Sequence, residues 1–172
     1  MSLREEIGSI LDAAGIRHAL IGALALSAYG VNRASLDLDL FAADAACLKP
    51  DLWADLRSRG VAVEIRKGDL TDPLAGVVRF QTLGETPVKV VVGKFPWQAR
   101  LLERAEPIGG SLVVRAADLV LLKLYAGGLQ DAWDVQQLLA RPFRDDLIRE
   151  VESRLSELPA RCQDLWRKIL EG

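Results

Sequence analysis

Histidine and cysteine are scarce in this chain, which has one histidine and two cysteines among its 172 residues. Cys47 and Cys162 lie far apart without the C-x-x-C spacing of structural zinc sites, so we expect neither a zinc site nor a disulfide framework. For the same reason we expect a reducing, cytoplasmic setting. His18 has no evident partner that would make it a general base, and we interpret it as structural. Chemistry in this protein must therefore use carboxylates, lysines, arginines and backbone groups.

Long apolar runs and the signature motifs of several large enzyme families are also absent. The longest apolar stretches, 19–31 and 119–126, fall short of the roughly 20 residues that a membrane span needs, and we expect no secretory signal. The dinucleotide, P-loop, α/β-hydrolase and zincin signatures do not occur, so the sequence gives no local evidence for any of these protein classes. The 22 basic and 24 acidic side chains give a net charge of −2. This balance predicts no extended DNA-binding surface.

What the sequence does contain is an alternation of short β patterns and helical patterns. Period-two and β-branched runs predict strands over 17–21, 35–41, 61–66, 77–81, 88–92 and 112–114. Apolar residues at helical spacing predict helices over 3–14, 22–30, 50–59, 95–104, 118–125 and 131–140. The two β-branched runs on either side of Gly84 predict an antiparallel hairpin. The predicted fold class is therefore α+β, with an α/β-like order of elements.

The chain beyond Pro142 has a different pattern of apolar and charged residues. Apolar residues recur there at helical spacing among charged ones, which predicts two amphipathic C-terminal helices separated by Pro159. Acidic residues in their polar faces favour packing on protein rather than on a membrane. We predict one domain over 1–142 and a C-terminal helical extension, 143–172, packed on the same domain.

Asp37 and Asp39 carry the main chemical signal. The stretch 35–41 alternates polar and apolar residues, which predicts a strand with both aspartates on one face, about 6 to 7 Å apart. Two carboxylates at that distance can hold one cation or two adjacent ones. The alternative is an exposed edge strand with a polar face, although aspartate is depleted in strands and two on one strand demand a reason.

Two further positions precede the aspartates. Gly22 lies where the strand 17–21 turns into a helix, and backbone N–H groups at such a turn can bind phosphate. A simple tight turn explains the glycine equally well. Arg33 lies in the loop before the aspartates, where an arginine can grip phosphate or pair with an acid.

Lys123 lies in a helix that is apolar nearly all round. Its ammonium must reach water or find a partner. Asp131 and Asp134 on the following helix are candidate partners, and Asp131 is also a candidate N-cap. We favour a Lys123 directed at the acidic site or at its phosphate ligand.

Taken in order, these motifs resemble the nucleotidyltransferase fold superfamily over roughly 16–139. The motifs are Gly22-Ala23, then Arg33-x-Ser35-x-Asp37-x-Asp39, then Lys123, then Asp131-x-x-Asp134. Within the superfamily the chain looks like the small AbiEii-type bacterial proteins, often treated as toxin components. The resemblance implies a mixed β-sheet flanked by helices and Mg²⁺-dependent transfer of a nucleoside monophosphate from an NTP to an unidentified acceptor, such as RNA or a protein. It also suggests an antitoxin or a second copy of the chain as a partner.

The resemblance assigns roles to single residues. Asp37 and Asp39 would ligate Mg²⁺, and Lys123 would contact phosphate or the acids near it. The residues expected to contact the substrate and its phosphates are Gly22, Ala23, Arg33, Ser35, Lys89, Asp131 and Asp134. Ala23 departs from the family pattern, which has Gly or Ser there, because alanine has no hydroxyl to offer the phosphate.

Lys89 is the more serious departure. Active members carry a third carboxylate at this position, which helps hold the second metal and can take a proton from the attacking hydroxyl. A lysine there would repel a divalent cation and could pair with Asp37 or Asp39, leaving a protein that binds nucleotide or a partner without turnover. Alternatively, Glu64 or Glu85 supplies the missing acid.

Overall fold

Seven strands form one mixed sheet at the centre of the structure, a computed structural model that describes residues 1–172. The strands are β1 (His18–Ile21), β2 (Leu38–Ala42), β3 (Ala62–Lys67), β4 (Gly76–Gln81), β5 (Val88–Val92), β6 (Glu106–Ile108) and β7 (Ser111–Val113). Their spatial order is β3-β4-β5-β2-β1-β7-β6. Strands β2 and β5 pair in parallel, as do β1 and β7, and the remaining pairs are antiparallel.

Eight α-helices flank the sheet. They are α1 (Leu3–Ala13), α2 (Gly22–Ala28), α3 (Ala54–Ser58), α4 (Pro96–Glu103), α5 (Ala116–Ala126), α6 (Leu129–Leu139), α7 (Arg144–Glu152) and α8 (Ala160–Glu171). Helix α1 begins with a capping box in which Ser2 and Glu5 satisfy each other's backbone N–H groups. None of the helices is long and apolar enough to cross a membrane. The predicted α+β class, a mixed sheet flanked by helices with amphipathic C-terminal helices, is confirmed.

One buried apolar cluster joins the sheet to the helices on it. Trp53 and Phe80 meet edge to face within it, with ring centroids 4.7 Å apart. Leu147 of α7 and Trp166 of α8 belong to the same cluster, so the C-terminal helices pack against the core that the sheet builds. The domain boundary at residue 142 stays a prediction. Both cysteines are free and buried.

The observed elements differ from the predicted ones in several places. The segment 50–59 is not one helix, because a 3₁₀ turn over Pro50–Trp53 precedes the short α3. The hairpin partner of β7 was not predicted, since β6 is only Glu106–Ile108 and has a proline at its centre. Asp118 does not start α5 but lies in its first turn, fully buried.

Strand β2 begins at Leu38 and not at residue 35 as the alternation predicted. The Ser35 hydroxyl donates to the Asp37 carbonyl oxygen at 2.8 Å and accepts from the Asp37 N–H at 3.3 Å. This local turn competes with the sheet ladder for the backbone groups of Asp37. Asp37 therefore precedes the strand, and only Asp39 of the two aspartates is part of the ladder.

Candidate functional site

A cleft of about 680 Å³ opens on one face of the sheet. Residues of β2, β3, β4 and β5 form its floor. Helix α5 forms one wall with Leu119, Leu122, Lys123 and Tyr125. The volume is typical of clefts that bind a small molecule or a cofactor.

Four charged residues cross the floor in a single row. Asp39 pairs with Lys89, Lys89 with Arg79, and Arg79 with Glu64 in the registers of the neighbouring strands. Directly paired residues project to the same face of a sheet, so all four side chains line the cleft. This charged row has two cations at its centre and one carboxylate at each end.

A second row lies two residues further along each strand, about 7 Å from the charged row. Phe41 pairs with Val91, Val91 with Val77, and Val77 with Arg66. Three of the four side chains are apolar, and all four line the cleft. The floor is therefore divided into a charged row and this apolar row.

Asp37 is bound by both cations of the charged row. The Lys89 ammonium lies 2.5 Å from Asp37 Oδ2, and Arg79 Nη2 lies 3.5 Å from Oδ1. The hydrogen bond from Lys89 is the main reason why the pKa of Asp37 lies below its ordinary value. The sequence did not decide whether Lys89 pairs with Asp37 or with Asp39. In the structure it pairs with Asp37.

Asp39 has a different environment. Its carboxylate packs against Gly22, where a Cβ atom would collide with it. Gly22 also has a φ of +67°, so glycine is required there by its backbone conformation as well as by the contact with Asp39. Burial is the main cause that raises the pKa of Asp39, opposed by the nearby charge of Lys89. The pKa values of the two aspartates are therefore shifted in opposite directions.

Lys123 lines the cleft and is held there by the acids of α6. Its Nζ lies 3.0 Å from Asp131 Oδ1 and 2.8 Å from Asp134 Oδ2. Arg33 Nε lies 3.0 Å from Asp134 Oδ1, so one fully buried carboxylate holds two cations. Lys123, Arg33 and Asp131 line the cleft, whereas Asp134 lies behind its wall. Asp134 is thus a positioning residue for Lys123 and Arg33.

The structure brings most of the predicted site residues to the cleft. Those that line it are Gly22, Arg33, Asp37, Asp39, Lys89, Lys123 and Asp131. Ala23 is buried in α2 and Ser35 is exposed in the loop, and neither lines the cleft. Arg79 and Val77 were not identified from the sequence. Both alternate with the buried Val78 in β4, and this period-two pattern places them together on the opposite face of the strand.

Neither alternative third acid reaches the aspartates. Glu85 accepts a 2.6 Å hydrogen bond from the Leu3 N–H at the start of α1 and does not line the cleft. Glu64 lines it, but stands three strands from Asp39 in the charged row, a separation of about 14 Å. It pairs instead with Arg66, 2.7 Å away.

The implied Mg²⁺ does not fit this set of residues. No group of three or more histidine, cysteine, aspartate or glutamate side chains is placed to hold a metal ion. The Lys89 ammonium already occupies Asp37 Oδ2. At an effective dielectric constant of about 20, an ammonium and a divalent cation about 4 Å apart repel each other by about 8 kcal/mol.

No protein-family model and no curated protein matches the chain. Among solved structures, the chain is similar to JHP933 from Helicobacter pylori, with 18% identity and a TM-score of 0.45 over 98% of this chain and 92% of that one. It is similar to ANT(2'')-Ia in complex with adenylyl-2''-tobramycin, with 15% identity and a TM-score of 0.48 over 98% and 95% of the two chains.

A third similar structure is an antigenic nucleotidyltransferase-like protein from Paracoccidioides brasiliensis, with 15% identity and a TM-score of 0.42 over 96% of this chain and 84% of that one. At such identities the likeness concerns the fold alone. The solved structures similar to this chain thus include nucleotidyltransferase-like proteins, the superfamily that its sequence motifs resemble.

Proposed function

We propose that the cleft binds a nucleotide, an NTP in the first instance, with its phosphates over the charged row and its base over the apolar row. The observation that carries this proposal is the division of one cleft floor into these two rows. A nucleotide has the same division, since an anionic end and a flat apolar end are joined by a sugar. The chain would then be a nucleotide-binding protein of the nucleotidyltransferase type.

The charged part of the cleft suits phosphate. Lys89 and Arg79 lie on its floor, and Arg33 and Lys123 line the cleft as well. Guanidinium and ammonium groups form short, charge-assisted hydrogen bonds to phosphate oxygens. Asp134 fixes two of these four cations, so part of the arrangement exists before a ligand arrives.

The apolar part of the cleft suits a base. Val77 and Val91 offer a flat floor, and Tyr125 of α5 also lines the cleft. Edge-to-face contacts with Phe95 and Trp97 hold the Tyr125 ring in place. Contact of a base with such a surface is sequence-tolerant and contributes about 1–3 kcal/mol where an aromatic ring stacks on it.

Calorimetric titration with each of the four common NTPs tests this proposal. Val91→Glu puts a carboxylate on the apolar row, and we expect it to weaken binding at least about tenfold by repelling phosphate and displacing the base. Thr86→Glu introduces the same charge at an exposed β-branched residue outside the cleft and should leave affinity unchanged. Equal affinities for both variants and the parent chain would contradict the proposed position of the base.

A second candidate function is the Mg²⁺-dependent transfer of a nucleoside monophosphate to an acceptor such as RNA or a protein hydroxyl. It is favoured by Asp39, whose carboxylate faces the cleft without a cation bound to it. It requires Lys89 to leave Asp37, because a metal needs the oxygen that Lys89 occupies. Metal-dependent transfer of label from α-labelled NTPs, abolished by Asp37→Asn, would support it. An antitoxin or second-copy partner stays a prediction.

A further inference from the structure

We propose that Lys89, assisted by Arg79, is a built-in cation that takes the place of a divalent metal ion, so that this cleft binds nucleotide phosphates without Mg²⁺. The inference rests on the proposed function, since it concerns how the same cleft holds the same ligand. The counter-ions of the bound phosphates would then be two side chains of the protein, Lys89 and Arg79.

The position of Lys89 is the first reason. In the parallel pairing of β2 with β5, Lys89 stands directly opposite Asp39. Its ammonium contacts Asp37 Oδ2 at 2.5 Å, an oxygen that a metal ion held by the two aspartates would use. The side chain is about one third exposed, so the ammonium is anchored by Asp37 while it still faces the cleft.

The charge balance is the second reason. Asp37 and Asp39 supply two negative charges, and Lys89 and Arg79 supply two positive ones beside them. A pair of carboxylates needs a divalent cation only while its charge is uncompensated, and here the sheet itself supplies the compensation. An added divalent ion would give this part of the cleft a net positive charge and would approach an ammonium closely.

The free donors of the two cations are the third reason. An ammonium has three N–H groups, and Asp37 is the one acid that Lys89 pairs with. Arg79 Nη2 lies 3.5 Å from Asp37 Oδ1, and the Arg79 side chain is 44% exposed. Donors therefore remain for phosphate oxygens while the Asp37 contact keeps both cations in position.

The test compares NTP affinity of the full chain by calorimetry in excess EDTA and in excess Mg²⁺. We expect the two dissociation constants to agree within about threefold, because the phosphate counter-ions are part of the protein. Binding that weakens at least about tenfold in EDTA would overturn this inference and leave the proposed function standing. Absence of NTP binding in both conditions would overturn the proposed function and this inference with it.

Lys89→Asp supplies the complementary measurement. It exchanges the cation for a third carboxylate, so we expect NTP binding in EDTA to fall at least about tenfold and to be restored by Mg²⁺ or Mn²⁺. Mn²⁺ alone, followed by its electron paramagnetic resonance signal, should bind this variant and not the parent chain.

Lys67→Asp is the matched control, because it makes the same charge change at an exposed lysine of β3 outside the cleft. It should bind NTP like the parent chain and should bind no Mn²⁺. Mn²⁺ binding by the parent chain equal to that of Lys89→Asp would overturn the inference. If Lys89→Asp does not fold, Lys89→Met and the comparison of EDTA with Mg²⁺ on the parent chain decide the question.

Discussion

At the scale of single residues, two aspartates of the same short motif have opposite electrostatic environments. Asp37 is paired with Lys89 and Arg79, which holds its pKa below the ordinary value, whereas burial raises the pKa of Asp39. A lowered pKa in the folded state adds stability above the ordinary pKa, and that stability is lost as the pH falls through the folded value. A raised pKa in the folded state adds stability below the ordinary pKa, and that stability is lost as the pH rises through the folded value.

These signs predict opposite effects for two otherwise equal substitutions. At pH 7, Asp37→Asn should lower the Tm, because Lys89 and Arg79 lose their charged partner, and Asp39→Asn should raise it, because a half-buried charge is removed. Each change should amount to a few degrees. As the pH falls, the gain from Asp39→Asn should fade already above the ordinary aspartate pKa of about 3.9, whereas the loss from Asp37→Asn should fade only below it. Scanning calorimetry from pH 3 to 8 measures both, and a fall in Tm for both variants at pH 7 would contradict this assignment.

At the scale of elements, most helices and strands follow from local pattern, but the site depends on register. The β4–β5 hairpin and the β1–α2 turn could be predicted from β-branched runs and glycines. Local pattern alone could not place Lys89 opposite Asp39, because β2 and β5 are parallel and separated in sequence. Only the family resemblance put this lysine beside the aspartates. The start of β2 at Leu38 was not predicted either, because the Ser35 hydroxyl binds the backbone carbonyl of Asp37 and keeps this residue out of the strand.

The turn between β1 and α2 gives the element-scale prediction. Gly22→Ala should be destabilising by about 2–4 kcal/mol, since it combines a positive φ with a collision against Asp39. Gly60→Ala is the matched control, because Gly60 has a φ of +89° and nothing within 4 Å of an added Cβ. We expect it to cost only about 1 kcal/mol.

Denaturant unfolding measures the difference between these two variants. The double variant Gly22→Ala/Asp39→Ala should recover most of the excess cost of Gly22→Ala, because the colliding carboxylate is gone. Equal costs for Gly22→Ala and Gly60→Ala would show that the close approach of Asp39 does not determine the residue at this turn.

At the scale of the whole molecule, α5 connects the cleft to the rest of the fold. One side of the helix carries Lys123 into the cleft wall, while its first turn buries Asp118 completely. Arg104 binds Asp118 with two hydrogen bonds, of 3.0 and 2.6 Å, and Arg154 adds a third contact at 3.3 Å. The segments before and after α5 are thus tied to the helix that forms the cleft wall. A buried aspartate with two distant arginines leaves no local signal, which is why the sequence pattern predicted only a helix over 118–125.

The central claim is that this cleft holds a nucleotide by its own cations, and a crystal structure of the full chain with a non-hydrolysable NTP and Mg²⁺ tests it most directly. We predict phosphate density within hydrogen-bonding distance of Lys89 and Arg79, the base over Val77 and Val91, and Lys89 still paired with Asp37. Density for a metal ion between Asp37 and Asp39 with Lys89 turned away, or a cleft without nucleotide, would contradict it.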